Sequence, residues 1–507
     1  MAKGLEVGGD SYIGNWSRSG EDDMGEDQDD KLSRRNFLKI LGYGAVAAPV
    51  VVTAYNCLRY GRQIAATVEA VKNRIALSCR TECLPPGFMV PEDERTGQDI
   101  LVSVTLNYSP APVIGGYNFN NGITKCLTSF LQKLPNGTNV YVLASEDFSE
   151  KCLSHLKKNH PGLEFTTHNL PFSERGSTFP QDMISATGRK DTKDRLILVA
   201  SSIEATQFNL LREMQRSQRE HRDFSEPLLS LRKIRSLILA DEAEVDEAEI
   251  GIRAYGDEFL AEKYPEKFAL KYVPVATTGG DMQITRLPDG RLALIVGKEN
   301  LSRTVLSMQL EESPGVNFMA LNEVDPEKFE GFLERARETY KLHFGVEEVI
   351  FIDEPYIRQQ IEVGNRIRHT GLESYKFFHS DMIVKTATCN DGRRVAFCSS
   401  QALKEPDSGY LWRIQEQFRR LGYDVKLLEC GPFVAMNYTN VIMFMGERGK
   451  TIVMLPQYGA PGDEEAAKVY KSCGFEVRKV DMSSLWQLPP KDRMATGSLH
   501  CMSVVMS

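Results

Sequence analysis

The stretch SGYLWRIQEQFRRLGYDV, residues 408–425, carries the pattern that decides the fold. Leu411, Ile414, Phe418 and Leu421 recur at helical spacing, which predicts an amphipathic helix over 408–421. Gly422 ends that helix, and Tyr423-Asp424-Val425 opens a short strand. Just upstream, Val395-Ala396-Phe397-Cys398 is an apolar run of strand length. The order recurs further on: the helical segment 464–473 passes through Gly474 into Phe475-Glu476-Val477.

Working outward, apolar runs predict buried strands at 100–106, 140–143, 196–200, 236–240, 292–296, 349–352, 395–398, 441–444 and 452–455. Amphipathic helices are predicted at 124–134, 149–159, 326–342, 408–421 and 464–473. The unit of helix, Gly turn, short strand, turn and strand repeats about every sixty to eighty residues, without clean identity between copies. This alternation places the chain in the α/β class. Residues 98–507 are read as one large α/β domain, preceded by a linker with a helical extension at 55–97 (helix 64–77, then the Pro85-Pro86-Gly87 break). The segment 173–209 is poorly patterned and reads as a surface excursion.

At 507 residues, 42% hydrophobic and 26% charged, the chain has the composition of a globular protein with a sizeable core. A formal charge of -8, with no long basic run, gives no reason to expect nucleic acid as a partner. Residues 1–32 are polar and acidic, and read as disordered. Ser33-Arg34-Arg35-Asn36-Phe37-Leu38-Lys39 then precedes an uncharged stretch from Ile40 to Leu58, the pattern of a twin-arginine export signal. Residues 1–54 are therefore read as that signal with its acidic leader, and the expected location is periplasmic or otherwise extracytoplasmic. The export machinery would be a partner. Ala45-Val46-Ala47 and Val52-Thr53-Ala54 offer cleavage sites, while the uncharged run is near the ~18 residues of a spanning helix, so cleaved signal and uncleaved anchor both stay open. No later segment reads as transmembrane, so membrane contact is expected only through that signal. Of the ten cysteines, Cys79 and Cys83 stand about one helical turn apart and can pair in an oxidising compartment; Cys398 reads as a buried small hydrophobe. No pair-of-pairs pattern suggests zinc, and neither metal nor other cofactor is expected.

Four short polar signatures stand out. Thr278-Gly279-Gly280-Asp281 reads as a turn. His379-Ser380-Asp381 offers an imidazole and a carboxylate two residues apart, which a strand would project to one face. Such a pair lets a proton carrier and a cation-binding acid share a pocket. Tyr438-Thr439-Asn440 opens a predicted hairpin over 441–455, and an Asn there can orient an imidazole. Gly497-Ser498-Leu499-His500-Cys501 follows a Gly/Ser turn with a thiol. A thiol needs a cationic neighbour to ionise at neutral pH, and a bound guanidinium would serve. His500 is read as a packing or hydrogen-bonding residue, since strand neighbours face opposite ways.

In this order, together with Pro456-Gln457-Tyr458-Gly459 and Gly297-Lys298-Glu299-Asn300-Leu301-Ser302-Arg303-Thr304, these motifs resemble the guanidino-group-modifying (pentein) superfamily. That group includes agmatine, arginine and bacterial (porphyromonad-type) peptidylarginine deiminases. The resemblance covers roughly 230–507 well and extends weakly from 98. It implies a pentein-type five-bladed pseudo-symmetric α/β propeller. It also implies cysteine-dependent conversion of a guanidinium to a ureido group with release of ammonia, on peptidyl-arginine, free arginine or agmatine. Carried over, Cys501 attacks the guanidinium carbon and His379 protonates departing ammonia, then activates water. Asp381 holds the guanidinium and Asn440 orients His379. Thr278, Gly280 and Asp281 line the substrate site. The family's Arg-Asp-x-Gly-Pro segment is missing, so the second acid falls to Asp241, with Asp246 as the other candidate. Arg253 is positioned to meet a substrate carboxylate. Thr278 stands where agmatine and arginine deiminases place a Glu, which fits the peptidylarginine branch better. Transfer of the amidino group to an amine, and guanidinium binding without turnover, remain open readings.

Overall fold

The structure is a computed structural model of the full chain; it describes residues 83–104, 119–145, 150–170, 185–201, 256–312, 326–362, 379–400, 408–429, 437–446, 448–486 and 498–507. The signal and leader at 1–54, Cys79, the helix predicted at 64–77 and the strand predicted at 236–240 lie outside the described residues.

Among the described residues, sixteen strands form five small sheets in a mixed α/β arrangement. The first sheet holds β1 (Asp99–Val104), β2 (Asn139–Ser145) and β3 (Glu164–Leu170). The second holds β4 (Ala186–Lys190), β5 (Leu196–Ser201) and β6 (Phe268–Val273), and the third β7 (Met282–Arg286), β8 (Leu292–Val296) and β9 (Glu348–Phe351). The fourth holds β10 (Val384–Thr388), β11 (Arg394–Ser400) and β12 (Asp424–Glu429), the fifth β13 (Ile442–Met445), β14 (Thr451–Gln457) and β15 (Glu476–Asp481). The last strand, β16 (Ser503–Val505), returns to β1 and pairs Leu101 with Val504.

One connection rule governs all five sheets. An antiparallel pair comes first, as in β10–β11 with Thr386 opposite Ala396. A parallel partner follows, as in β11–β12 with Phe397 opposite Lys426. The same sequence holds for β4–β5–β6, β7–β8–β9, β13–β14–β15 and β16–β1–β2. A parallel step needs a crossover, and helices supply it. The crossovers are α1 (Phe119–Leu131), α2 (Glu150–Asn159), α3 (Gly256–Lys263), α4 (Lys298–Glu312) with α5 (Pro326–Phe344), α7 (Ser408–Arg420) and α8 (Gly462–Ser472), whereas α6 (Glu354–Glu362) follows β9 and the single turn α9 (Ser483–Trp486) follows β15.

α7 shows why the helical pattern was legible. Leu411, Ile414 and Phe418 are buried against β10 and β11 residues Val384, Ala396 and Cys398, while Trp412 on the other face is 58% exposed. Gly422, at φ +88, makes the turn into β12 that an L side chain would strain. Every residue of β8 is buried, as expected of a middle strand covered on both faces.

The core clusters link the sheets in turn. One joins the first, fifth and fourth sheets through Ile100, Met454 and Phe397. Another joins the fourth and third through Ala396 and Ile295. The third and second meet through Val296 and Val199, and the second and first through Leu198 and Leu101. The segment 173–209 is therefore no surface excursion throughout, because β5 within it is wholly buried. Its weak pattern comes from β4, whose sequence ATGRK is polar at one end.

Residues 84–97, read from sequence as linker, bond to the first strand of each of the five sheets. Val90 N donates to Thr187 O on β4 at 2.9 Å. Arg286 on β7 pairs with Glu94 at 2.6 Å, and Lys385 on β10 with Glu92 at 2.7 Å. Met443 N on β13 donates to Glu92 Oε1 at 2.7 Å. Gly97 N donates to Ser507 O at 2.9 Å, and Arg95 bonds Val505 O on β16. Among the described residues no helix is long and apolar enough to cross a membrane.

Candidate functional site

The site forms where the turn before β10, the turn before β13 and the turn before β16 meet. His379-Ser380-Asp381 is not a strand: Ser380–Met382 is a single 3-10 turn with His379 extended ahead of it. One buried acid, Asp281, ties it to α4. Asp281 Oδ1 accepts Ser380 N at 3.2 Å, and its Oδ2 accepts Asn300 N at 2.9 Å in the first turn of α4. A carboxyl there meets unsatisfied helix N–H groups and the positive end of the helix. Burial pushes the Asp281 carboxyl up to about 7, with Glu299 adding to the rise and His379 opposing it. Gly297 is required beside it, since a Cβ at 297 would overlap the Asp281 carboxylate.

Thr278 and Asn300 hold each other: Thr278 N donates to Asn300 Oδ1 at 3.0 Å and Asn300 Nδ2 to Thr278 O at 2.9 Å. Arg303 Nη1 reaches Thr278 Oγ1 at 3.2 Å. Gly280 O accepts Ser380 Oγ at 3.4 Å. His379 Nε2 stands 3.3 Å from Glu299 Oε2, and Glu299 also pairs with Arg303 one turn along α4. The carboxylate beside this imidazole thus comes from α4, not from position 278.

Asp381 is fully buried, and its two oxygens differ sharply. Oδ2 accepts Asn440 Nδ2 at 2.9 Å, lies 2.8 Å from His500 Nδ1, and accepts Cys501 Sγ at 3.7 Å. Oδ1 is buried with no hydrogen-bond partner among the described residues. Thr439 Oγ1 holds the Asp381 carbonyl at 3.1 Å. Asn440 bridges the rest: Nδ2 also donates to Cys501 Sγ at 3.2 Å, and Oδ1 accepts His500 N at 2.9 Å and Cys501 N at 3.3 Å. Its side chain therefore serves Asp381 and the thiol segment, where the sequence reading gave it to His379.

The thiol itself is 6% exposed. Because residues 499–502 form a turn before β16 begins at Ser503, His500 does not point away from the site as strand alternation predicted. Its Nε2 reaches Glu92 Oε2 at 2.7 Å. Glu92, His500 and Glu299 were missed as site residues. The one sequence signal for His500 and Glu299 is that each lies inside a quoted motif; Glu92 has none. Asp241, Asp246 and Arg253, and Gly497 of the thiol motif, lie outside the described residues. Among the described residues no cluster of His, Cys, Asp and Glu has the geometry of a metal site.

A buried carboxylate oxygen without a donor is costly, about 1–3 kcal/mol or more for a charged group. It is offset when a ligand brings the donor. Asp381 thus offers one oxygen to an incoming N–H while the other neighbours a thiol, which suits a planar nitrogen cation attacked by sulfur.

No protein-family model matches the chain, and no curated protein matches it. Among solved structures the chain is similar to the agmatine deiminase of Enterococcus faecalis at 12% sequence identity, over 84% of this chain and 98% of that one, with a TM-score of 0.45.

Proposed function

We propose that the chain is an exported, cysteine-dependent hydrolase that converts a guanidinium group to a ureido group and releases ammonia. The observation that carries this reading is Asp381: fully buried, with Oδ1 unpartnered among the described residues and Oδ2 3.7 Å from Cys501 Sγ. In this reading an N–H of the guanidinium donates to Oδ1 and brings the central carbon to the sulfur. The Cys501 thiolate attacks that carbon, forming C–S. His379, held beside Glu299, donates a proton to the departing nitrogen as C–N breaks, leaving a thiouronium on the thiol and free ammonia. The same imidazole, now a base, takes a proton from water attacking that carbon. C–S then breaks to give the ureido product and the thiolate. Asn440 keeps sulfur and carboxylate in one geometry, which is positioning rather than proton transfer.

The architecture proposed with it is a five-bladed pseudo-symmetric propeller. Two observations support the ring: each sheet shares a core with the next in cyclic order, and residues 84–97 bond the first strand of all five. The second acid is assigned to Asp241, with Asp246 the other candidate, and Arg253 to a substrate carboxylate. The twin-arginine motif at 33–39 supports export.

The test is ureido and ammonia formation by the protein lacking residues 1–54, offered free arginine, agmatine and arginyl peptides. Product from one of these, lost in Cys501→Ser, is expected. A folded protein silent on all three would overturn hydrolysis.

A further inference from the structure

The mechanism above uses Asp381 but leaves unexplained the chain of buried charge behind it. Asp381 Oδ2, His500 and Glu92 form an unbroken line, with 2.8 Å at Nδ1 and 2.7 Å at Nε2. Lys385 Nζ stands 2.7 Å from the same Glu92 oxygen that His500 meets. His500, Asp381 and Lys385 are all almost wholly buried. An imidazole facing a carboxylate at each nitrogen satisfies both only when both nitrogens carry a proton. Two carboxylates, one imidazolium and one ammonium then sum to zero charge, which lets such a cluster persist inside a core.

We propose that His500 is a positioning residue that, anchored by Glu92 of the 84–97 segment, holds the Asp381 carboxyl with its unpartnered oxygen turned to the substrate cation. This rests on the deiminase reading for the substrate's identity, though the relay itself does not need it. Every strong donor to Asp381 Oδ2 comes from Asn440 or His500, so the carboxyl plane is set by those two. The groups facing His500 are Asp381 from the 3-10 turn and Glu92 from the segment ahead of β1, with Lys385 of β10 behind Glu92. Glu92 is fixed on its other oxygen by Met443 N of β13 at 2.7 Å. Burial and Lys385 both oppose a charged imidazole, but Glu92 and Asp381 outweigh them and raise His500 above its ordinary value. The segment read as linker thus sets the electrostatics of the substrate carboxylate from the far side of His500.

Glu92→Gln is the test, because it removes charge with little change of shape. Two readouts are taken on the protein lacking residues 1–54. The first is steady-state ureido formation from agmatine across pH 5–9, with active sites counted by alkylation of Cys501. Glu92→Gln is expected to raise KM for the cation at least tenfold with an unchanged count of active sites; a merely structural role would lower that count and leave KM alone. His500→Gln, which keeps a donor toward Asp381, is expected to recover part of the KM lost in His500→Ala. The second readout is the ring-nitrogen NMR signal of His500 against pH, which needs no turnover. It is expected to show both nitrogens protonated at pH 7 in the unaltered protein and a downward shift of its midpoint in Glu92→Gln. If agmatine, arginine and arginyl peptides are all left unchanged by the unaltered protein, the deiminase reading fails while the NMR titration still decides the relay. A neutral His500 at pH 6, or a midpoint unmoved by Glu92→Gln, overturns the proposal.

Discussion

Gly297→Ala places one methyl group against the carboxyl that fixes the turn carrying His379 and Asp381. A Cβ at 297 would occupy the space of the Asp281 side chain. Asp281 cannot swing away freely, because its oxygens hold Asn300 N at 2.9 Å and Ser380 N at 3.2 Å and the residue is 1% exposed. At pH 8 the carboxyl is ionised, its midpoint lying at about 7, so each bond lost costs ~1.5–3 kcal/mol. Displacing it from both costs about 3–6 kcal/mol. The damage reaches the chemistry, since Ser380 lies between His379 and Asp381. A double-mutant cycle isolates the cause. Gly297→Ala, Asp281→Ala and the double variant are unfolded thermally, followed by near-ultraviolet circular dichroism at pH 8, and assayed for ureido formation. Gly297→Ala should destabilise strongly alone and by less than ~1 kcal/mol once Asp281 is already alanine. Equal cost in both backgrounds would refute the assignment of Asp281 as the group that Gly297 accommodates.

Asp281→Asn tests the same carboxyl through pH. Its folded midpoint, about 7 against an ordinary 3.8, means the folded state holds the proton more tightly, so stability is fullest below 3.8 and falls as pH rises towards 7. The swing is about 4 kcal/mol at most by linkage, and Asp281→Asn should flatten it in melting curves taken at pH 4 to 8. Glu92 has the opposite sign. Despite burial, Lys385 and His500 hold it well below its ordinary 4.5, so its contribution is present above that value and is lost on acidification; Glu92→Gln should shrink the acid-side loss. Asn440→Ala strands Cys501 N, leaves His500 N only its long bond to the Asn440 carbonyl, and frees Asp381 and Cys501 at once, so activity should drop ~10²-fold or more with the fold retained by circular dichroism. Phe418→Ala opens a cavity under α7 and should cost ~3–5 kcal/mol in denaturant titration without touching KM.

What was legible in the sequence follows the physics of each element. β8 and β14 are apolar runs buried along nearly their whole length, and α7 carries one apolar stripe, so pattern alone located them. β4, β7 and β10 were invisible because these three strands carry polar side chains inward, unlike the apolar β13. Gln283 Nε2 crosses from β7 to Val384 O at 2.7 Å, and Lys385 is 3% exposed only because Glu92 meets it. Such a strand looks solvated until its distant partner is known. The same reasoning covers the site. Cys501, Asp381 and Asn440 sit in short motifs that stand out in the sequence, and the structure brings them within hydrogen-bond range of one another. Glu92 lies 408 residues from His500 in an acidic EDE turn that reads as surface charge. The strand assumed at 379–381 and at 500–501 failed for related reasons: the first is a 3-10 turn and the second a hydrogen-bonded turn, neither alternates, and so adjacent side chains share a pocket.

The most direct test of the central claim is acid-quenched mass spectrometry of the Cys501 peptide during turnover of agmatine, free arginine or an arginyl peptide, read beside ureido product. The account predicts an amidino adduct on Cys501 that forms and decays as product accumulates, with neither adduct nor product in Cys501→Ser. Ureido product that persists in Cys501→Ser would contradict a thiol mechanism, and an adduct that never decays to product would mark the site as guanidinium-binding without hydrolysis.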